Sequence, residues 1–207
     1  MTVTHLLWDM DGTLLDSGVA VPAAYVAAVR RLGGPAVTPE QVIDAYPIGP
    51  PAVMLSHLTG REVTPADLEL YYAELAHVTV SPYRGVLRTM ARLRVIGQPV
   101  AVFTGASARA AAFLLPAAGI EPDVLVGGDE VGSPKPSGDG IELAARRLGV
   151  APDRLAYVGD APNDMRAARA AGALSAAAAW GHQYDPAEKA DVTLARPVDA
   201  VALLRAG

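Results

Sequence analysis

Two aspartates, Asp9 and Asp11, stand in the run Asp9-Met10-Asp11-Gly12-Thr13, directly after an apolar stretch that begins at His5. A carboxylate at the position of Asp9 could attack phosphorus and form an acyl phosphate. A second carboxyl at Asp11 could protonate the leaving oxygen and then activate the water that hydrolyses the acyl phosphate. Two close carboxylates facing a doubly charged phosphate repel it and each other, so a cation is needed. Mg²⁺ suits an all-oxygen site that keeps several waters. Taken alone, Asp and Gly in such a loop also serve as ordinary turn residues, and Gly12 allows a tight turn.

Three later segments carry groups that would complete this chemistry. Thr104-Gly105 follows the apolar run Pro99 to Phe103, offering a hydroxyl and an unobstructed backbone N–H where a helix begins and anions are favoured. Lys135 lies between Pro134 and Pro136, whose rings restrict the backbone on either side. A lysine held in this way could neutralise a phosphate oxygen or the nucleophile. Gly159-Asp160 closes another apolar run, and Asp164 follows four residues on, in the first turn of a helical pattern. Each segment has a plainer reading: a helix N-cap, a solvated lysine, acidic capping residues. Their combination supplies what metal-assisted phosphoryl transfer requires, with Asp160 and Asp164 able to complete a metal site with Asp9, and Thr104, Gly105 and Lys135 on the phosphate.

The elements that would position these groups are legible in the pattern. Short apolar runs at 5–9, 99–103, 123–126, 155–158 and 173–179 alternate with helical patterns at 86–96, 108–118, 138–148 and 163–171. Strand alternating with helix means an α/β protein with a parallel sheet covered on both faces. Ligand sites in such sheets lie at the carboxyl ends of the strands, where all four segments fall. Residues 17–81 break the rhythm. Thr38-Pro39-Glu40-Gln41 reads as a capping box with a proline start, and Thr64-Pro65-Ala66-Asp67 repeats the Thr-Pro start with an acid in the first turn. The expected division is a core of residues 1–16 and 82–207 with a helical cap of residues 17–81 inserted after the first strand.

Composition limits the alternatives. The chain has 207 residues, 51% of them hydrophobic, enough for one domain with an insert and a full core. There is no cysteine, which excludes disulfides, thiolate catalysis and cysteine metal sites. With 22 acidic and 17 basic residues and no cationic run, no nucleic-acid partner is expected. No stretch is apolar for long enough to span a bilayer, and the N-terminus does not read as a signal peptide, so a cytoplasmic protein without membrane partners is expected, as monomer or homodimer.

The segments Asp9 to Thr13, Thr104, Lys135 and Gly159-Asp160 through Asp164 resemble, in order, the four motifs of the haloacid dehalogenase superfamily of phosphohydrolases. The resemblance covers nearly all of the core. The position of the insert is similar to that of the helical C1-type cap in the subfamily containing phosphoglycolate phosphatases, with Pro82-Tyr83-Arg84-Gly85-Val86 where the chain would re-enter the core. Trp180-Gly181 resembles the turn that often follows the next strand. The resemblance implies a Rossmann-like core and a Mg²⁺-dependent phosphatase. Asp9 would be nucleophile and metal ligand. Asp11 would be acid/base, with its backbone carbonyl on the metal. Thr104 and Lys135 would bind the transferring phosphoryl group, Asp160 would ligate the metal, and Asp164 would ligate it or orient its waters. An aspartate at position 11 favours phosphate over carbon–halogen chemistry. Arg84 departs from the proline frequent at its position, and Gly105 from the Asn that often follows the threonine.

The expected substrate is a small phosphate monoester, with phosphoglycolate as one candidate. The alternatives are a phosphomutase of the same fold, against which the cap's lack of a mutase-like histidine and lysine pattern speaks, and a non-catalytic phosphometabolite-binding protein. Candidate selectors in the cap are Tyr46, His57 and Arg61, with Arg84 at the hinge; either arginine could hold a substrate carboxylate bidentately. Tyr71-Tyr72 reads as core or interface, His5, His77 and His182 as structural, and His182-Gln183-Tyr184-Asp185 as a surface loop, with the mouth of the pocket as the alternative.

Overall fold

The computed structural model describes residues 2–204. Its centre is a six-stranded sheet in which β1 (His5–Trp8), β4 (Ala101–Phe103), β5 (Val124–Val126), β6 (Leu155–Gly159), β7 (Leu174–Ala178) and β8 (Val192–Leu194) run in the order β5-β4-β1-β6-β7-β8. Every neighbouring pair is parallel, so all six carboxyl ends share one edge. Alternate residues of a strand face opposite sides, which is why these runs are apolar throughout. On one face Leu6, Trp8, Val102, Val158 and Ala176 join a core that includes helices α5 (Val86–Val95) and α6 (Ala108–Ala117). On the other, Leu7, Phe103, Leu155 and Tyr157 pack with α7 (Asp139–Leu148) and α8 (Pro162–Ala171). The second layer is tight: a Cβ on Gly140 would sit 2.1 Å from the Phe103 ring.

Between the first two core strands the chain forms α1 (Ala20–Arg31), α2 (Pro39–Ala45), α3 (Pro51–Thr59) and α4 (Pro65–Leu75), with α2, α3 and α4 all packed on α1. Both expected starts are present. The Thr38 hydroxyl accepts from Gln41 N at 3.3 Å while Thr38 N donates to the Gln41 side chain at 2.8 Å. Thr64 and Asp67 repeat the exchange at 2.8 and 3.3 Å. The bundle is buried around Tyr25, Val42, Leu55, Tyr71 and Leu75.

Two features were not anticipated. β2 (Leu15–Asp16) and β3 (Ser81–Pro82) pair antiparallel, so the chain leaves and re-enters the sheet side by side. β8 adds a short edge strand to β7, held by Asp191, whose carboxylate accepts from Ser175 N at 2.8 Å and Ser175 Oγ at 2.7 Å. Among the described residues, no helix is long and apolar enough to cross a membrane.

Candidate active site

The loop after β1 turns immediately. Asp9 N still donates to Val158 O at 2.8 Å, continuing the sheet, and then Leu14 N and Leu15 N both donate to Met10 O at 2.9 Å. This tight loop projects Asp9 and Asp11 above the sheet edge. Gly12 has φ +81°, and a Cβ there would lie 2.3 Å from an Asp160 oxygen. Gly181 and Gly159 are crowded in the same way, with hypothetical Cβ atoms 2.2 Å from the Asp160 Cβ and 2.5 Å from the Asp164 carboxylate. Three glycines therefore let three loops close around two carboxylates.

The expected acids converge. Oxygens of Asp9, Asp160 and Asp164, all buried, lie within 4.8 Å of one another. Lys135 spans two of them, its ammonium donating to Asp9 Oδ1 at 2.6 Å and Asp164 Oδ1 at 2.7 Å. It sits 5.1 Å from the Phe103 ring centroid and 5.4 Å from that of Tyr157, an aromatic wall that favours a cation. Asp164 also accepts from Ala161 N at 2.9 Å, as a helix cap does, and the Tyr157 hydroxyl lies 3.3 Å from it. Asp160 accepts from the Thr13 hydroxyl at 3.2 Å and from Gln183 N at 2.8 Å. Asp11 Oδ1 accepts from the Ser17 hydroxyl at 2.6 Å. The Thr104 hydroxyl accepts from Ala106 N at 3.1 Å, which leaves its own hydrogen to donate. Beside it, Gly105 is open, with nothing within 4 Å of a hypothetical Cβ.

Three carboxylates with one ammonium leave an excess of negative charge in a buried place. Burial raises the carboxyl pKa of Asp9 despite the opposing Lys135, with Asp164 and Asp160 adding to the rise. Asp160 is pushed up to about 6 by burial and the neighbouring Asp164 charge. Burial also raises Asp11, opposed by its Ser17 bond and by Lys135. For Lys135 burial works against the charged form, but Asp164 and Asp9 outweigh it and hold the ammonium protonated.

A cavity of about 190 Å³ opens above Asp9 and Asp11, reaching Thr104, Gly105, Lys135 and Asp164 on its sheet side and Tyr25, Tyr46 and Tyr71 on its helical side. All the expected catalytic and phosphate residues border it; of the expected metal residues only Asp160, which lies behind Gly12, does not. The expected selectors divide. Tyr46 lines the cavity, whereas His57, Arg61 and Arg84 do not. Arg61 is exposed and bonded to Asp67 at 2.8 Å, and Arg84 belongs to a separate groove with Arg88 and Arg92. Tyr71, expected in the core or at an interface, is both buried and at the cavity wall. His182, also expected to be structural, hydrogen-bonds the Tyr83 hydroxyl at 3.0 Å and is near enough to favour ionised Asp11 and Asp160. Gln183, expected in a surface loop, lines the cavity, and its hold on Asp160 is through its backbone and so leaves no residue-type signal. Sequence reasoning missed the hold of Thr13 on Asp160, although the threonine of the Asp9–Thr13 run could have been read.

A buried carboxylate at the tip of a central parallel strand, with further acids and a lysine brought in from two later segments, is an arrangement suited to phosphoryl transfer. The chain belongs to the haloacid dehalogenase-like hydrolases, whose family model matches residues 3–172. It is 34% identical over 203 residues to a phosphoglycolate phosphatase of Xanthomonas campestris, covering 93% of this chain and 92% of that one. It is 31% identical over 213 residues to a phosphoglycolate phosphatase of Escherichia coli, covering 89% and 84%. The fold is that of the crystal structure of CbbY from Rhodobacter sphaeroides in complex with phosphate, with TM-score 0.81, 24% identity and coverage of 98% and 99%. The enzyme is a phosphatase.

Proposed function

We propose that the enzyme hydrolyses a small-molecule phosphate monoester in the cytoplasm, using Mg²⁺ and an aspartyl-phosphate intermediate on Asp9. Residues 17–81 act as a cap domain over a core of residues 1–16 and 82–207. The observation that carries this reading is the convergence of Asp9, Asp160 and Asp164 oxygens within 4.8 Å at the strand tips, with Lys135 bonded to the first and last.

The donor set fits Mg²⁺: it is all oxygen, and the single ammonium leaves charge for a divalent ion to balance. Asp9, Asp160 and the Asp11 backbone carbonyl would hold the ion, with Asp164 as ligand or as holder of its waters, and the ion supplies the positive charge that brings a dianionic ester against Asp9. The remaining work falls to this chain's own groups. Lys135, the Thr104 hydroxyl and Gly105 N–H bind the phosphoryl oxygens. Asp9 attacks phosphorus, and the bond to the ester oxygen breaks. Asp11, whose pKa burial raises, gives its proton to that oxygen, and the alcohol leaves. Asp11 then takes a proton from water as it attacks phosphorus, which releases inorganic phosphate and restores the Asp9 carboxylate. Asp164, bonded to Ala161 N, Tyr157 and Lys135, keeps the ammonium in register. The names of the relatives put phosphoglycolate among the substrates to compare.

The test is phosphate release from a panel of esters, with Mg²⁺, with EDTA, and with Asp9→Asn as blank. Release that needs the metal and is lost in the variant supports the reading. Retention of more than a few per cent of activity by Asp9→Asn removes Asp9 from the role.

A further inference from the structure

The cavity has a charged floor and an uncharged wall. Its volume of about 190 Å³ is below the ~300–1,000 Å³ of sites that take drug-sized ligands, so the ester is small. The floor is Asp9, Asp11, Lys135 and Asp164. The helical side contributes Tyr25, Tyr46, Tyr71, Met54, Val21 and Ile43, joined by prolines. Among the described residues that line the cavity, Lys135 is the only cation, and Asp9 and Asp164 already share it.

The cations of residues 17–81 lie elsewhere. Arg30, Arg31, His57, Arg61 and His77 are all exposed. Arg31 is bonded to Glu74 at 2.6 Å and Arg61 to Asp67 at 2.8 Å. The three tyrosines stay neutral, because burial raises their pKa values. Tyr25 and Tyr71 pack against each other with ring centroids 4.4 Å apart and planes tilted by 34°.

A leaving group carrying a carboxylate would give up its water here and meet no cation of its own. An unpaired charge in such a place is strongly disfavoured. An uncharged alcohol would lose nothing of this kind. Its carbon body would pack on Met54, Val21 and Ile43, and a hydroxyl or amide would meet the phenols. Resting on the phosphatase reading above, we infer that the enzyme selects phosphate monoesters of small uncharged alcohols and discriminates against esters with a carboxylate in the leaving group.

The experiment compares kcat/KM with Mg²⁺ for phosphoglycolate, its isosteric amide carbamoylmethyl phosphate, and phenyl phosphate. The amide should exceed phosphoglycolate about tenfold or more, since the two differ only in the charge presented to the wall. Ile43→Arg, at a position 38% exposed on the cavity rim, should shift that ratio toward phosphoglycolate by about tenfold. Equal or better turnover of phosphoglycolate by the wild type overturns the inference while leaving the phosphatase reading intact. So does an unchanged ratio in Ile43→Arg. No phosphate from any of the three esters, phenyl phosphate included, overturns the phosphatase reading itself and the inference with it.

Discussion

Gly12 and Gly33 form a matched pair. Both have positive φ, +81° and +70°, so alanine at either position carries a similar backbone strain of about 1 kcal/mol. In a chain of this size that is about 2–4 °C of Tm. The surroundings differ. Nothing lies within 4 Å of a Cβ on Gly33, whereas a Cβ on Gly12 would lie 2.3 Å from Asp160 Oδ2. Ordinary contact begins near 3.4 Å, so the Asp160 carboxylate must retreat by about 1 Å. It would pull against its bonds from Thr13 and Gln183 N as it did so. A misplacement of ~1 Å at a catalytic group can cost about a hundredfold in rate. Gly33→Ala should lose about 2–4 °C and keep its kcat, while Gly12→Ala loses at least as much Tm and about a hundredfold in kcat. Thermal melts and steady-state phosphate release measure both. If Gly12→Ala matched Gly33→Ala in both assays, crowding around Asp160 would not be what requires glycine there.

Other perturbations test separate parts of the account. Lys135→Met removes the ammonium between Asp9 and Asp164 and should lower kcat by about 10²–10³, with a smaller change in KM; a change confined to KM would make Lys135 a binding group only. Asp11→Asn should slow alkyl phosphates more than activated aryl phosphates, because only the poorer leaving group needs the proton; equal losses would rule out leaving-group protonation by Asp11. The folded Asp191 carboxyl titrates below its ordinary value because the Ser175 hydroxyl and N–H bond its ionised form. Its stabilisation is therefore full above the unfolded value near ~4 and is lost as pH falls through the lower folded value. Since Asp191 is largely solvated, Asp191→Ala should cost about 1 kcal/mol at pH 7, and the deficit should shrink in acid; a deficit independent of pH would contradict the charge-assisted bonds.

How far the sequence could be read depended on what each residue does. The strand tips were legible because buried runs such as His5–Trp8 and Leu155–Gly159 stop abruptly at carboxylates and glycine. The helix starts at Thr38 and Thr64 were legible because capping chemistry is local. The edge strand Val192–Leu194 was not, since three residues of mixed burial carry no period. Nor was the Leu15–Asp16 ribbon, which exists only through its partner at Ser81–Pro82. In the site, acids and lysine announced themselves by type. The backbone N–H of Gln183 could not. His57, Arg61 and Arg84 were attractive as selectors because charge is conspicuous in a sequence, but Arg61 is taken by Asp67 six residues away. The wall that does face Asp11 is made of Tyr25, Tyr46 and Tyr71, drawn together by the packing of α1 and α4 and by the turn after α2. No spacing along the chain encodes that meeting.

The central claim is that Asp9 takes the phosphoryl group before water does. The most direct test is the stereochemical course at phosphorus, using an accepted ester made chiral with oxygen isotopes and analysing the phosphate transferred to an acceptor alcohol. Two in-line displacements, first by Asp9 and then by the acceptor, give net retention, which is the predicted result. Net inversion would mean a single direct displacement and would contradict the nucleophilic role of Asp9.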